Sequence, residues 1–219
     1  AKGAVAMFKH PKALDVYYRT QKLGRLALAP DRRCVFEYQP DWIRDGFSIS
    51  PFYLPLKSGV FTGRTEPFNG LFGVFNDSLP DGWGMLLTDR WLKEKGLNPA
   101  EFTVIDRLSL VGNQGMGALS YHPAQNDLPN VELNHPLDFY ANEVAKMLRA
   151  ESSTALNEIF TKAGSSGGAR PKVLVTIEGT EWLIKFRASV DPEQVGAIEY
   201  HYAQLAGKCG IEMPETRLF

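Results

Sequence analysis

Long apolar runs are missing from this 219-residue chain. Crossing a bilayer as a helix takes about 20 consecutive apolar residues, so a membrane-spanning role is excluded by that measure. An excess of one charge is missing too. The 24 Lys and Arg against 25 Asp and Glu leave a formal net charge of −1, too little to drive bulk association with nucleic acid or a lipid surface. Cysteine is scarce. Cys34 and Cys209 lie far apart with no metal-type spacing, which excludes a disulfide framework and suits a reduced, cytoplasmic compartment. His10, His122, His135 and His201 show no ligand spacing, so no metal site is expected on them. The opening AKGAVAMFKHPKAL is basic but lacks a sustained apolar stretch, and does not read as a signal peptide. No internal repeat is visible.

What is present is an ordinary globular composition, 44% hydrophobic and 22% charged, long enough for one large domain or two small ones. Residues 14–18, 23–29 and 33–38 are β-rich and separated by the turn-prone RTQK and PDRR, which predicts an antiparallel meander. SISPFYLPLKSG is expected to stay extended, because Pro51 and Pro55 oppose helix. Trp83, Leu86, Leu87 and Trp91 recur at helical spacing after Pro80, with Asp77 or Ser78 as cap and Gly96 as the stop. The two tryptophans read as core, and Asp77 and Asp81 as capping residues. A second helix is expected from Asn98 with Pro99 just inside it, and GMGALSYHP as a strand. Residues 123–136 are polar and Pro-rich and mark a boundary, dividing the chain into 1–125 and 126–219. Beyond it lie two short helices, LDFYANEVAKMLRA and STALNEIF. A hairpin follows, KVLVTI and EWLIKF joined by EGT, then a helix with Asp191 as cap and Pro192 at its first position, and finally MPETRLF as an extended segment. The fold class is α+β.

AGSSGGARPKVLV, residues 163–175, raises the functional question. Small residues in a row are entropically costly to hold, so the stretch is either a turn or a loop that brings bare backbone close to an anion. A slack linker fits poorly, because the loop runs directly into an apolar strand. Lys185 lies in the second hairpin strand, with Trp182, Ile184 and Phe186 on one face and Leu183, Lys185 and Arg187 on the other. It reads as a surface lysine or as a point charge for phosphate. From Lys162 to Arg187 there are five cations (Lys162, Arg170, Lys172, Lys185, Arg187) against Glu178 and Glu181, a local +3. The following helix carries Glu199, either a solvated residue or the partner of that lysine. Glycine loop, strand, turn, strand with lysine, helix with glutamate is the order of a protein-kinase N-lobe.

The chain from about residue 14 to Phe219 resembles the HipA-like serine/threonine kinases, toxins of type II toxin–antitoxin systems. The resemblance rests on LGRLAL, FEYQPDWI, ISPFYLPL, FGVFNDSLPDGWGMLL, DRLSLVGNQGMGALSYHP, SSGGARPKVLV and IEYHYAQLAGKCGIEMPETRLF, in that order. Asn113-Gln114 stands where an Arg-Asp type of pair is commoner, and Arg170-Pro171 where Gln-Glu is; Pro171 removes a backbone N–H. The resemblance implies a HipA-type N-terminal subdomain followed by a kinase-like N-lobe. It implies that Gly167, Gly168, Ala169, Arg170 and Lys172 line the phosphates of ATP, that Lys185 is the nucleotide-binding lysine with Glu199 in support, and that Ser165, or else Ser166, is autophosphorylated to inactivate the enzyme. It further implies Mg2+ as cofactor and a helix-turn-helix, DNA-bound antitoxin as partner. The substrate it implies is a protein, with aminoacyl-tRNA synthetases as the class attacked by family members.

Catalytic-loop Asp and Asn and a metal-binding Asp, which phosphoryl transfer requires, are not recognisable in these residues. The expectation is therefore an enzyme when whole, with these 219 residues inactive alone. The alternative is a non-catalytic regulatory or antitoxin-like module derived from the same region. The glycine loop and Lys185 argue against it, since such a module would need only residues up to about 125.

Overall fold

The computed structural model describes residues 8–125, 135–163 and 167–219. They fall into two compact units, one formed within residues 1–130 with 167 and 168, the other within 131–163 and 169–219.

In the first unit the meander forms as β1 (Ala13–Tyr18), β2 (Gln21–Leu28) and β3 (Cys34–Tyr38). β1 and β3 alternate in burial, and Leu14, Val16, Leu26, Phe36 and Tyr38 are buried together in one core. Gly24 has a steric role there: a Cβ would come within 2.6 Å of the Phe36 ring and closer still to the Glu37 carbonyl. After α1 (Pro40–Asp45), β4 (Val60–Thr62) adds to β3. β5 (Leu119–His122) pairs with β1, giving an antiparallel sheet in the order β4-β3-β2-β1-β5. The α+β class holds.

Several local expectations change. SISPFYLPL is not extended, since Pro51, Phe52 and Tyr53 form a turn closed by the Ser50–Leu54 bridge. A one-turn helix, α2 (Gly73–Asn76), precedes α3 (Gly82–Glu94). Asp77 ends α2 and Asp81 stands at the N-cap of α3, but the Asp81 side chain makes no cap bond. Trp83, Leu87 and Trp91 are buried, as helical spacing implies. The helix read from Asn98 is two elements: a single 3-10 turn at Pro99–Glu101, then α4 (Val104–Val111). Thr103 and Asp106 close a capping box that restarts the helix; Asp106 Oδ2 accepts from Thr103 N (2.8 Å).

The second unit packs α5 (Leu137–Leu148) and α6 (Leu156–Ala163) through Tyr140, Val144, Met147, Leu156, Ile159 and Phe160, all buried. Glu143, 2% exposed, fastens the connection between them. Its carboxylate accepts from Ser153 Oγ (2.8 Å), Thr154 N (2.7 Å) and Lys146 Nζ. Those donors, Lys146 foremost, hold its pKa at about 2. α6 leads toward the small-residue segment and packs on β6 (Lys172–Ile177). β6 and β7 (Thr180–Lys185) form the expected hairpin across Glu178 and Gly179, both at positive φ, as a tight two-residue turn requires. α7 (Val195–Lys208) follows with no buried residue, and 211–219 forms no strand. Among the described residues no helix is long and apolar enough to cross a membrane.

Candidate phosphate-binding site

The hairpin register decides which cations meet. Val173 faces Ile184 and Val175 faces Trp182 on the buried side, so the intervening residues share the open side. Lys172 lies directly opposite Lys185 there. Like charges across a strand pair repel unless something negative is near. Glu199 of α7 supplies that charge: its carboxylate accepts from Lys185 Nζ. Both side chains are about half exposed, 46% and 54%, so the pair adds little to stability. What it does is fix where a cation stands.

The register continues past the strand end. Phe186 N donates to the carbonyl of Pro171 (2.8 Å), which keeps the proline, unable to donate, in the ladder as an acceptor. One residue earlier, Arg170 makes a side-on ion pair with Asp191. Its Nη2 lies 2.7 Å from Oδ1, and its Nε 3.1 and 3.0 Å from Oδ1 and Oδ2. Asp191 Oδ2 also accepts from Ala188 N (3.0 Å). This corrects the reading of Asp191 as a helix cap: α7 starts after Gln194, and the carboxylate is spent on Arg170 and on the bend before the helix. Arg170 first, then the Ala188 amide, lowers the pKa of Asp191, while Asp191 and, more weakly, Glu199 raise that of Arg170.

The glycines behave differently from one another. Gly168 sits at φ +92°, a backbone region that side chains resist, so glycine is required there. It belongs to the first unit, where its N–H donates to Asp81 Oδ1 and its carbonyl accepts from Trp83 N (3.3 Å). A Cβ on Gly167 would meet nothing within 4 Å. Among the described residues, space alone does not require glycine at 167. Ser165 and Ser166 lie outside the described residues.

The structure therefore brings Arg170, Lys172, Lys185 and Glu199 into one unit and adds Asp191, which sequence reasoning had assigned elsewhere. The Arg170–Asp191 pair spans 21 residues with no periodicity to announce it. The one available signal was the break in helical pattern at SVDPEQ. Among the described residues no group of three or more His, Cys, Asp or Glu could hold a metal ion.

Comparison with known families agrees with the motif order along the chain. The family model of the HipA N-terminal domain matches residues 14–122, which hold the five-stranded sheet and its helices. That of the HipA-like C-terminal domain matches residues 164–219, which hold the small-residue loop, the hairpin and α7. No curated protein sequence matches the chain. Two models of one family, consecutive and in order over most of the sequence, leave one assignment: the chain belongs to the HipA family.

Proposed function

We propose that these residues are the nucleotide-binding part of a HipA-family serine/threonine protein kinase, which takes ATP and phosphorylates a protein. The observation that supports the reading most is the Lys185–Glu199 ion pair on the open side of a hairpin preceded by a glycine-containing loop. A lysine held by a glutamate from the next helix offers a fixed cation to nucleotide phosphates. Residues 170–199 carry a formal charge of −1 overall, so what fits a polyphosphate is the local grouping of Arg170, Lys172 and Lys185 at one end of the hairpin and not the charge of the segment. Lys185 would touch the phosphate chain, and Glu199 would hold that lysine in place. When bound, ATP supplies the transferable phosphoryl group. Mg2+ would be held by carboxylates outside this set.

Regulation follows the same chemistry. A phosphate on Ser165, or on Ser166, a few residues before Arg170 in the sequence, would add nearly two negative charges and compete with nucleotide for the cations of this segment. A DNA-bound antitoxin is the proposed partner, an aminoacyl-tRNA synthetase the proposed class of substrate, and the cytoplasm the proposed compartment.

The test is titration of the 219-residue protein with ATP by calorimetry, alongside Lys185→Ala. Binding by the parent, weakened at least tenfold in the variant with an unchanged melting curve, supports the reading; equal affinities overturn it. A phosphotransfer assay on the same samples is expected to show no magnesium-dependent turnover. Turnover above the Lys185→Ala control would overturn the assignment of catalysis to other residues.

A further inference from the structure

Asp191 and Arg170 are unequal partners. The carboxylate is 2% exposed in its side chain, whereas the arginine side chain remains 62% exposed. Burying the second charge as well would add a desolvation cost, so the exposed guanidinium is no defect of the fold, and it leaves a cation within reach of a ligand. Here the acid is buried and the base is left accessible. The pairing is also side-on: Asp191 takes Nε and one Nη2 hydrogen of Arg170, two of the five donors that a guanidinium has. The opposite edge, Nη1 with the second Nη2 hydrogen, retains the fork geometry that matches a phosphate.

Position adds to this. Arg170 stands two residues before Lys172, which faces Lys185 across the hairpin, and the Pro171–Phe186 hydrogen bond holds that end of the ladder closed. Glu199, the partner of Lys185, also acts electrostatically on Arg170. Backbone donors are few at this point, since Pro171 has none and the Gly168 amide is given to Asp81. A side-chain fork then supplies donors that the backbone at these two positions does not.

We propose that Asp191 is a positioning residue that clamps one edge of Arg170, so that the other edge acts with Lys185 as a second fixed cation for the polyphosphate of a nucleoside triphosphate. The inference rests on the nucleotide-binding reading above. The carboxylate removes rotameric freedom from a long side chain before the ligand arrives, so that less is lost on binding. Two buttressed cations, Lys185 by Glu199 and Arg170 by Asp191, respond to phosphate number more than to the nucleoside.

The experiment is calorimetric titration of the 219-residue protein with ATP, ADP and adenosine, comparing the parent with Asp191→Asn, Arg170→Gln, the double variant and Lys185→Ala. Asp191→Asn and Arg170→Gln are each expected to weaken ATP about tenfold, ADP less, and adenosine not at all. The double variant is expected to lose no more than either single one, because the two residues form one device. Asp191→Glu is expected to recover part of the loss. Asp191 also accepts from Ala188 N, so its replacement can disturb the start of α7; Arg170→Gln, at an exposed side chain, is free of that complication. If Lys185→Ala weakens ATP while Arg170→Gln does not, the inference fails and the nucleotide reading stands. If ATP and adenosine weaken equally, the ion pair is structural and the inference fails. If the parent binds no ATP, or Lys185→Ala binds it as well as the parent, both readings fall together.

Discussion

Replacing Glu143 by glutamine keeps the shape and one acceptor oxygen of a buried side chain and removes its charge. In the folded protein that carboxylate has a pKa of about 2, against an ordinary 4.5, because Lys146, Ser153 and Thr154 all donate to it. Each unit of depression corresponds to about 1.4 kcal/mol, so the ionised group contributes up to about 3 kcal/mol near neutral pH. Lys146 is 43% exposed, and solvent screening of that partner brings the expected figure to about 2 kcal/mol. The sign is that of a depressed acid: the contribution is complete above pH 4.5 and is lost as pH falls toward 2. Urea unfolding followed by far-ultraviolet circular dichroism, on parent and Glu143→Gln, measures it. The variant is expected to be less stable by about 2 kcal/mol at pH 7 and by about 1 kcal/mol at pH 3. A difference below about 0.5 kcal/mol at pH 7, or one that does not shrink by pH 3, would refute the assignment of Glu143 as the anchor of the α5–α6 connection. The result bears on function because α6 packs on β6, the strand that carries Lys172.

The two loop glycines are predicted to differ. Gly168→Ala should destabilise by about 1 kcal/mol, since alanine resists a φ of +92°, as thermal melting would show. Gly167→Ala, with open space at its Cβ, should melt like the parent yet bind ATP more weakly; unchanged ATP affinity would leave the stretch as a turn only. Ser165→Asp is expected to weaken ATP binding by adding a negative charge to the small-residue segment that precedes Arg170 in the sequence. Mass spectrometry of the active enzyme that finds phosphate only outside residues 164–172 would remove Ser165 and Ser166 from consideration.

Local chemistry alone determined much of this protein. Period-2 alternation and turn residues placed β1 to β3, and a turn-forming EGT placed the β6–β7 hairpin. The recurrence of Trp83, Leu87 and Trp91 placed α3 and its buried face. Alternation also put Lys185 on the side opposite Trp182 and Ile184, and motif order led to the HipA family. These signals are legible because each depends on residues a few positions apart. Tertiary structure decided the pairings that span long separations: β5 closing the sheet on β1, the Gly168 amide held by Asp81, and Asp191 turned from a helix cap into the clamp on Arg170. A carboxylate ahead of a proline has the same local appearance whether it caps a helix or binds a guanidinium 21 residues away. The burial that chooses between them exists only once the hairpin and the bend before α7 have come together.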